Sequence, residues 1–175
     1  MKKSLRKKIL SLRKKMTSKE VKSHSNLIVQ NIKNLNVYEN SKTIAIYHPY
    51  KNEVDILSLL EDRNKFFCFP VVKKDSKVLC FRVVEKSSDL ISGAYGIQEP
   101  ASCCFEVAAS DIDLFLTPGV AFSETGERLG YGGGYYDSTL PLRKDTAKAI
   151  GVAFDFQILS SGFYRNARKP IKLRP

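Results

Sequence analysis

Residues 128–137, Arg-Leu-Gly-Tyr-Gly-Gly-Gly-Tyr-Tyr-Asp, set four glycines and three tyrosines between an arginine and an aspartate. Each residue type has a use around a phosphorylated ligand. Consecutive glycines let backbone N–H groups approach an anion with no Cβ in the way, and can form an anion-binding nest. Arg128 offers a forked guanidinium to phosphate oxygens. Tyr131, Tyr135 and Tyr136 supply flat faces on which a heterocycle can stack. Asp137 stands where a helix is expected to begin, and either caps it or meets a cation such as Mg²⁺. The stretch matches neither common phosphate fingerprint. It lacks the Gly-Lys-Ser/Thr ending of a P-loop, and Gly130, Gly132, Gly133 and Gly134 cannot be laid on G-x-G-x-x-G. On spacing alone, a tight structural turn is the competing reading.

The elements that must position this loop follow from periodicity. Leu5, Ile9, Leu12 and Met16 fall at helical spacing, so residues 3–16 read as an amphipathic helix with a basic outer face. Thr17-Ser-Lys-Glu20 has the capping-box pattern and opens a second helix, with Val21, Ile28, Ile32 and Leu35 on one face to about Asn36. Residues 43–47 form a β-branched apolar run, as in a buried strand. Residues 54–63 are helical in composition. Strands are expected at 65–69, stopped by Pro70, at 77–84, at 111–119 and at 148–154, with a helix opening near Tyr135. Strands alternating with helices predict an α/β fold, a three-layer domain with a largely parallel sheet flanked by helices, built from residues 1–175 as one unit. In such sheets ligands gather beyond the carboxyl ends of the strands. That edge includes the loops after Tyr47, Leu116 and Phe154.

Composition narrows the class. A hydrophobic fraction of 43% and a charged fraction of 27% over 175 residues describe an ordinary globular chain. No apolar run reaches the ~18 residues that cross a bilayer, and the basic N-terminus lacks the apolar segment of a secretory signal. A cytoplasmic location and no membrane partner are therefore expected. Cys68, Cys80, Cys103 and Cys104 show no metal spacing, and the first two read as small buried hydrophobes. The net charge of +11 is terminal: residues 1–15 hold eight Lys/Arg and residues 156–175 hold five, with no acid in either. Between them stand 16 basic and 18 acidic side chains. A nucleic-acid domain would show a basic face interleaved with aromatics, so nucleic acid is not the expected partner.

Residues 117–137, TPGVAFSETGERLGYGGGYYD, resemble the long signature of the 5-formyltetrahydrofolate cyclo-ligase (5,10-methenyltetrahydrofolate synthetase) family, roughly P-G-x-x-F-x-x-x-G-x-R-L-G-x-G-x-G-Y-Y-D. Pro118, Gly119, Phe122, Gly126, Arg128, Leu129, Gly130, Gly132, Gly134, Tyr135, Tyr136 and Asp137 occupy its fixed positions. Lys2 and Arg6 match the family's basic residue followed four later by an arginine. IAIYHPYKNEVD (44–55) matches its strand with a trailing acidic segment, and GVAFDFQ (151–157) its last core strand and glutamine. Taken singly these residues say little: Glu53 reads as an acid at a helix start, His48 as a strand-end histidine, and Lys2 and Arg6 as two of many basic residues on one helix.

The resemblance implies ATP- and Mg²⁺-dependent cyclisation of 5-formyltetrahydrofolate, with or without a polyglutamate tail, to 5,10-methenyltetrahydrofolate, by a monomer. It implies ATP binding by Lys2, Lys3, Ser4, Leu5 and Arg6, and by the loop Arg128, Leu129, Gly130, Tyr131, Gly132, Gly133, Gly134, Tyr135 and Tyr136. Arg128 and Tyr136 would take part in catalysis. Folate would meet His48, Glu53, Tyr131, Gly132, Gly133, Gly134 and Tyr135, and Asp137 would be a Mg²⁺ ligand. The chain departs from the pattern at Pro170 and Arg174, where the family has aspartates, the first a metal ligand, and its final strand is expected to be absent. Two alternatives therefore stand beside the ligase: a family member that binds nucleotide or folate with impaired turnover, and a basic-tailed nucleic-acid binder.

Overall fold

The computed structural model describes residues 2–93 and 96–160, so Pro170, Arg174 and the expected missing strand lie outside the described residues. The chain opens with α1 (Lys2–Lys15), α2 (Ser18–Lys33) and α3 (Asn36–Asn40). The capping box is present: Thr17 Oγ1 accepts from the Glu20 amide, and Glu20 accepts from the Thr17 amide. Strands β1 (Thr43–Ala45), β2 (Phe66–Val72) and β3 (Leu79–Val83) follow, then β4 (Leu90–Ser92), β5 (Gln98–Pro100) and β6 (Glu106–Val107). The last part holds β7 (Leu114–Pro118), β8 (Ala121–Ser123), β9 (Arg128–Leu129), α4 (Tyr135–Thr139), β10 (Lys148–Val152) and β11 (Ile158–Leu159).

Among the described residues the main sheet runs β10-β7-β1-β2-β3-β6. The pairs β10–β7, β7–β1 and β1–β2 are parallel, whereas β2–β3 and β3–β6 are antiparallel. Alternation along the strands gives it two buried faces. Ile44, Phe67, Leu114 and Leu116 pack under Val29 and Ile32 of α2, Tyr38 of α3, and Leu59. Ala45, Cys68, Phe115 and Ala149 face Leu140, Tyr135 and Tyr136 around α4. On that face Phe81 and Phe115 meet edge to face at 5.6 Å. Helical segments thus cover both faces, which makes the three layers and the largely parallel sheet. Cys68 and Cys80 are buried, all four thiols are free, and burial pushes the Cys68 thiol up.

Three local expectations are corrected. Pro70 does not stop β2, which continues to Val72. Phe66 donates to Lys42 and Ile46 donates to the Cys68 carbonyl, so the even positions of β2 bond toward β1. Pro70 is the next even position, where an N–H would meet the Ile46 carbonyl, so bonding to β1 ends there while pairing with β3 runs on through Val72. Residues 54–63 form only a 3₁₀ turn over Leu57–Glu61. Asp55 accepts from the Leu57 amide, and its own amide donates to Ser25 Oγ; these bonds compete with a regular helical start. The second helix ends at Lys33 with Asn34 as its cap, and α3 begins as a separate turn.

Candidate active site

Strands β1, β7 and β10 run parallel, so their carboxyl ends open onto one edge. Helix α1 lies across the connections that leave this edge. Ile9 is buried against Val120, Ala121 and Leu129, with Leu5 and Leu10 packed beside it. Gln157 braces the same place from below: its Nε2 donates to the Gly119 and Val120 carbonyls at 3.0 and 2.9 Å, and its Oε1 accepts from the Phe154 amide.

Two arginines on one face of α1 grip the loops beneath. Arg6 Nε donates to the Gly130 carbonyl at 2.7 Å. Arg13 is 1% exposed, although it belongs to a helix whose other basic residues are wholly or partly exposed. Its Nε donates to the Lys51 carbonyl at 2.9 Å, and Nη1 and Nη2 donate to the Gly119 and Tyr50 carbonyls at 3.4 Å. Nη2 also donates to the Tyr131 hydroxyl. That hydroxyl donates in turn to Glu53 Oε1 at 3.0 Å, and Arg13 Nη1 stands 3.7 Å from the same oxygen.

Glu53 sits at the end of an unusual turn. Lys51 and Asn52 are both left-handed, with φ of 49° and 57°. Asn tolerates this region and Lys does not, so the turn is a place of local strain. Asn52 Nδ2 donates to the Arg13 and Met16 carbonyls at the end of α1, which fastens the turn to the helix. The Tyr50 amide donates to Glu53 Oε2 at 3.0 Å. Glu53 is 5% exposed. Burial pushes its carboxyl up, against the opposing pull of Arg13, the Tyr50 amide and the Tyr131 hydroxyl. Burial and the Glu53 charge push the Tyr131 phenol up, so it remains a donor at neutral pH. The Tyr131 residue is nevertheless 43% exposed, and its ring meets Tyr50 at 6.2 Å.

The glycine loop bends through Gly132 and Gly134, with φ of 116° and 79°, values that side chains with a Cβ resist. Gly134 occupies the cap position of α4, so Asp137 is not the N-cap but the third helical residue. Arg128 is drawn inward: its side chain is 6% exposed and lies over the Tyr136 ring at 5.1 Å. Its Nη1 donates to the Pro118 carbonyl at 3.2 Å and Nη2 to Asp137 Oδ1 at 2.7 Å, while the buried Nε has no partner among the described residues. Burial pushes the Tyr136 phenol up, with Arg128 pulling the other way.

The structure therefore brings Arg6, Glu53 and residues 128–137 to one edge. Lys2, Lys3 and Ser4 are exposed on the first turn of α1, and His48 is half-buried just after β1. Asp137 has a side chain 61% exposed, and among the described residues no three His, Cys, Asp or Glu side chains converge on a metal position. Sequence reasoning passed over Arg13, Tyr50 and Asn52. The available signal was that the lysine-rich first helix contains two arginines, seven residues apart and so on one face.

The family model described as the 5-formyltetrahydrofolate cyclo-ligase family matches residues 1–161. The 5-formyltetrahydrofolate cyclo-ligase of Mycoplasma genitalium is 31% identical over 120 residues, which are 66% of this chain and 61% of that protein. The mitochondrial 5-formyltetrahydrofolate cyclo-ligase of Arabidopsis thaliana is 30% identical over 139 residues, 74% of this chain and 47% of that protein. Both matches thus span less than two thirds of the relative's own length. The solved structure of Aquifex aeolicus 5,10-methenyltetrahydrofolate synthetase superposes with a TM-score of 0.84 at 34% identity, covering 98% of this chain and 86% of that one.

Proposed function

This chain belongs to the 5-formyltetrahydrofolate cyclo-ligase family, and from that premise we propose that it converts 5-formyltetrahydrofolate and ATP to 5,10-methenyltetrahydrofolate, ADP and phosphate. The observation that carries the reading is the junction of two chemistries at one sheet edge: a glycine loop held by Arg6, and a buried carboxylate, Glu53, bonded to Tyr131 of that same loop.

The formyl oxygen on N5 attacks the γ-phosphorus of ATP, and ADP leaves. N10 then attacks the activated formyl carbon, the C–O bond breaks, phosphate departs, and N10 loses its proton to give the methenyl cation. Such a transfer asks a protein mainly for positioning and charge neutralisation. Arg6, Lys2 and the backbone of residues 128–136 hold the nucleotide. Arg128, anchored by Pro118 and Asp137, directs positive charge at the transferred phosphoryl group. Glu53 accepts hydrogen bonds from the pterin edge, and the exposed face of Tyr131, with His48 nearby, completes the folate side. Tyr136 stays neutral and buttresses Arg128.

Mg²⁺ that arrives with a nucleotide is held largely by phosphates and water, and asks the protein for one or two carboxylates. Asp137 fits that modest demand: Arg128 takes its Oδ1, and most of the side chain is open to solvent. The ion would offset charge on the transferring phosphoryl group.

Oxygen-18 in the formyl group tests this route. The label is expected in inorganic phosphate, one atom per methenyl product. Label retained in the folate, or released as water, would exclude it.

A further inference from the structure

We propose that Arg13 is a positioning residue for this reaction: acting through Glu53 and Tyr131, it locks the acidic turn at 50–53 to the glycine loop. The folate-facing carboxylate and the nucleotide-facing loop then keep one relative geometry. The inference rests on the assignment of Glu53 to the folate side.

Arg13 is the buried guanidinium of an otherwise solvated basic helix, a placement that persists only when its donors are satisfied. They are satisfied from three separate segments: Tyr50 and Lys51 of the turn, Gly119 after β7, and Tyr131 of the glycine loop, with Glu53 alongside. Four of its five N–H donors are taken in this way and the side chain is 1% exposed, so Arg13 acts through its neighbours. The turn it grips holds two consecutive left-handed residues that are not glycine, Lys51 and Asn52. A conformation of that kind survives where the surroundings over-determine it, and Arg13 with Asn52 supplies that constraint. A lysine cannot reproduce the grip, because its point charge lacks the planar fork. Arg6 lies two helical turns earlier on the same face and holds Gly130, the residue before Tyr131. One rigid helix face therefore sets both halves of the site.

The test is steady-state kinetics on the full chain with each substrate varied, for Arg13→Lys and Arg13→Met, alone and combined with Glu53→Gln. Charge-assisted hydrogen bonds of this kind lead us to expect a KM for 5-formyltetrahydrofolate raised about tenfold or more, with the KM for ATP much less affected. On the Glu53→Gln background the Arg13 substitution should add almost nothing, because its route to the folate is already cut. Equal effects on both KM values, or effects of Arg13 and Glu53 that multiply independently, would overturn the proposal. So would a lowered unfolding midpoint with unchanged constants well below it, which is what a merely structural role gives. If Arg13→Met does not fold, Arg13→Lys, which keeps the charge and loses the fork, decides alone. The wild-type chain is the control. No ATP-dependent methenyl product from it refutes the cyclo-ligase reading and this proposal together; product from it with unaltered Arg13→Lys constants refutes this proposal only.

Discussion

Tyr131 and Glu53, 78 residues apart in the chain, share a 3.0 Å hydrogen bond that joins the glycine loop to the acidic turn. The bond spans the two ligand-binding halves of the proposed site, and Arg13 closes it from the helix side. Several consequences can be measured.

Arg6 holds the loop through the Gly130 carbonyl. Arg6→Ala removes that bond and, in the proposed site, a charge facing the nucleotide. The KM for ATP should rise about tenfold or more, as for loss of a charged hydrogen bond, with the folate KM changed far less. Initial rates against ATP concentration check this.

Asn52→Ala loses the two carbonyl contacts of Nδ2 and puts a Cβ-bearing residue without Asn's tolerance at φ 57°. The expected cost is about 1–3 kcal/mol. Asn52→Gly, which keeps the backbone freedom, should cost less. Denaturant midpoints at constant slope make the comparison.

The acidic turn also carries a pH signature. Burial raises the Glu53 carboxyl above its ordinary 4.5. The folded state therefore binds this proton more tightly than the unfolded one, and this group's contribution falls as pH rises from about 4.5 to its folded value, then levels off. Glu53→Gln lacks that decline. The stability of the wild type minus that of the variant should fall with rising pH across this window; a rising or flat difference would mean that Arg13, the Tyr50 amide and the Tyr131 hydroxyl match or outweigh burial.

Asp137→Asn keeps a hydrogen-bond acceptor for Arg128 and removes the carboxylate charge. If Asp137 meets the metal, the Mg²⁺ concentration for half-maximal rate rises, and excess Mg²⁺ restores much of the activity. An unchanged Mg²⁺ dependence would leave Asp137 with Arg128 alone.

The first two helices and the places of the central strands along the chain were legible because they rest on local signals: the 5-9-12-16 apolar spacing of α1, the Thr17–Glu20 box, and the apolar runs of β1, β7 and β10. Pro70 misled because its missing N–H ends the ladder toward β1 only, and the pairing with β3 that carries β2 on to Val72 is a tertiary fact. The 57–61 turn misled because Asp55 and Ser25 take over the bonds of a helical start. Glu53 and Arg6 were legible from a family pattern, and Tyr131 only as a member of the glycine loop, at a position that pattern leaves open. Arg13 was not, since two arginines seven residues apart mark one face of a lysine-rich helix without telling which of them is buried. The bonds that single it out come from residues 37 to 118 positions away.

The most direct measurement is absorbance of the methenyl chromophore when the full chain is mixed with 5-formyltetrahydrofolate, Mg²⁺ and ATP, with ATP omitted in a parallel sample. Product that appears only with ATP, matched by one ADP for each methenyl group, is the expected result. No product with ATP present, under conditions where calorimetry shows that both ligands bind, would contradict the assignment of this edge as a cyclo-ligase active site.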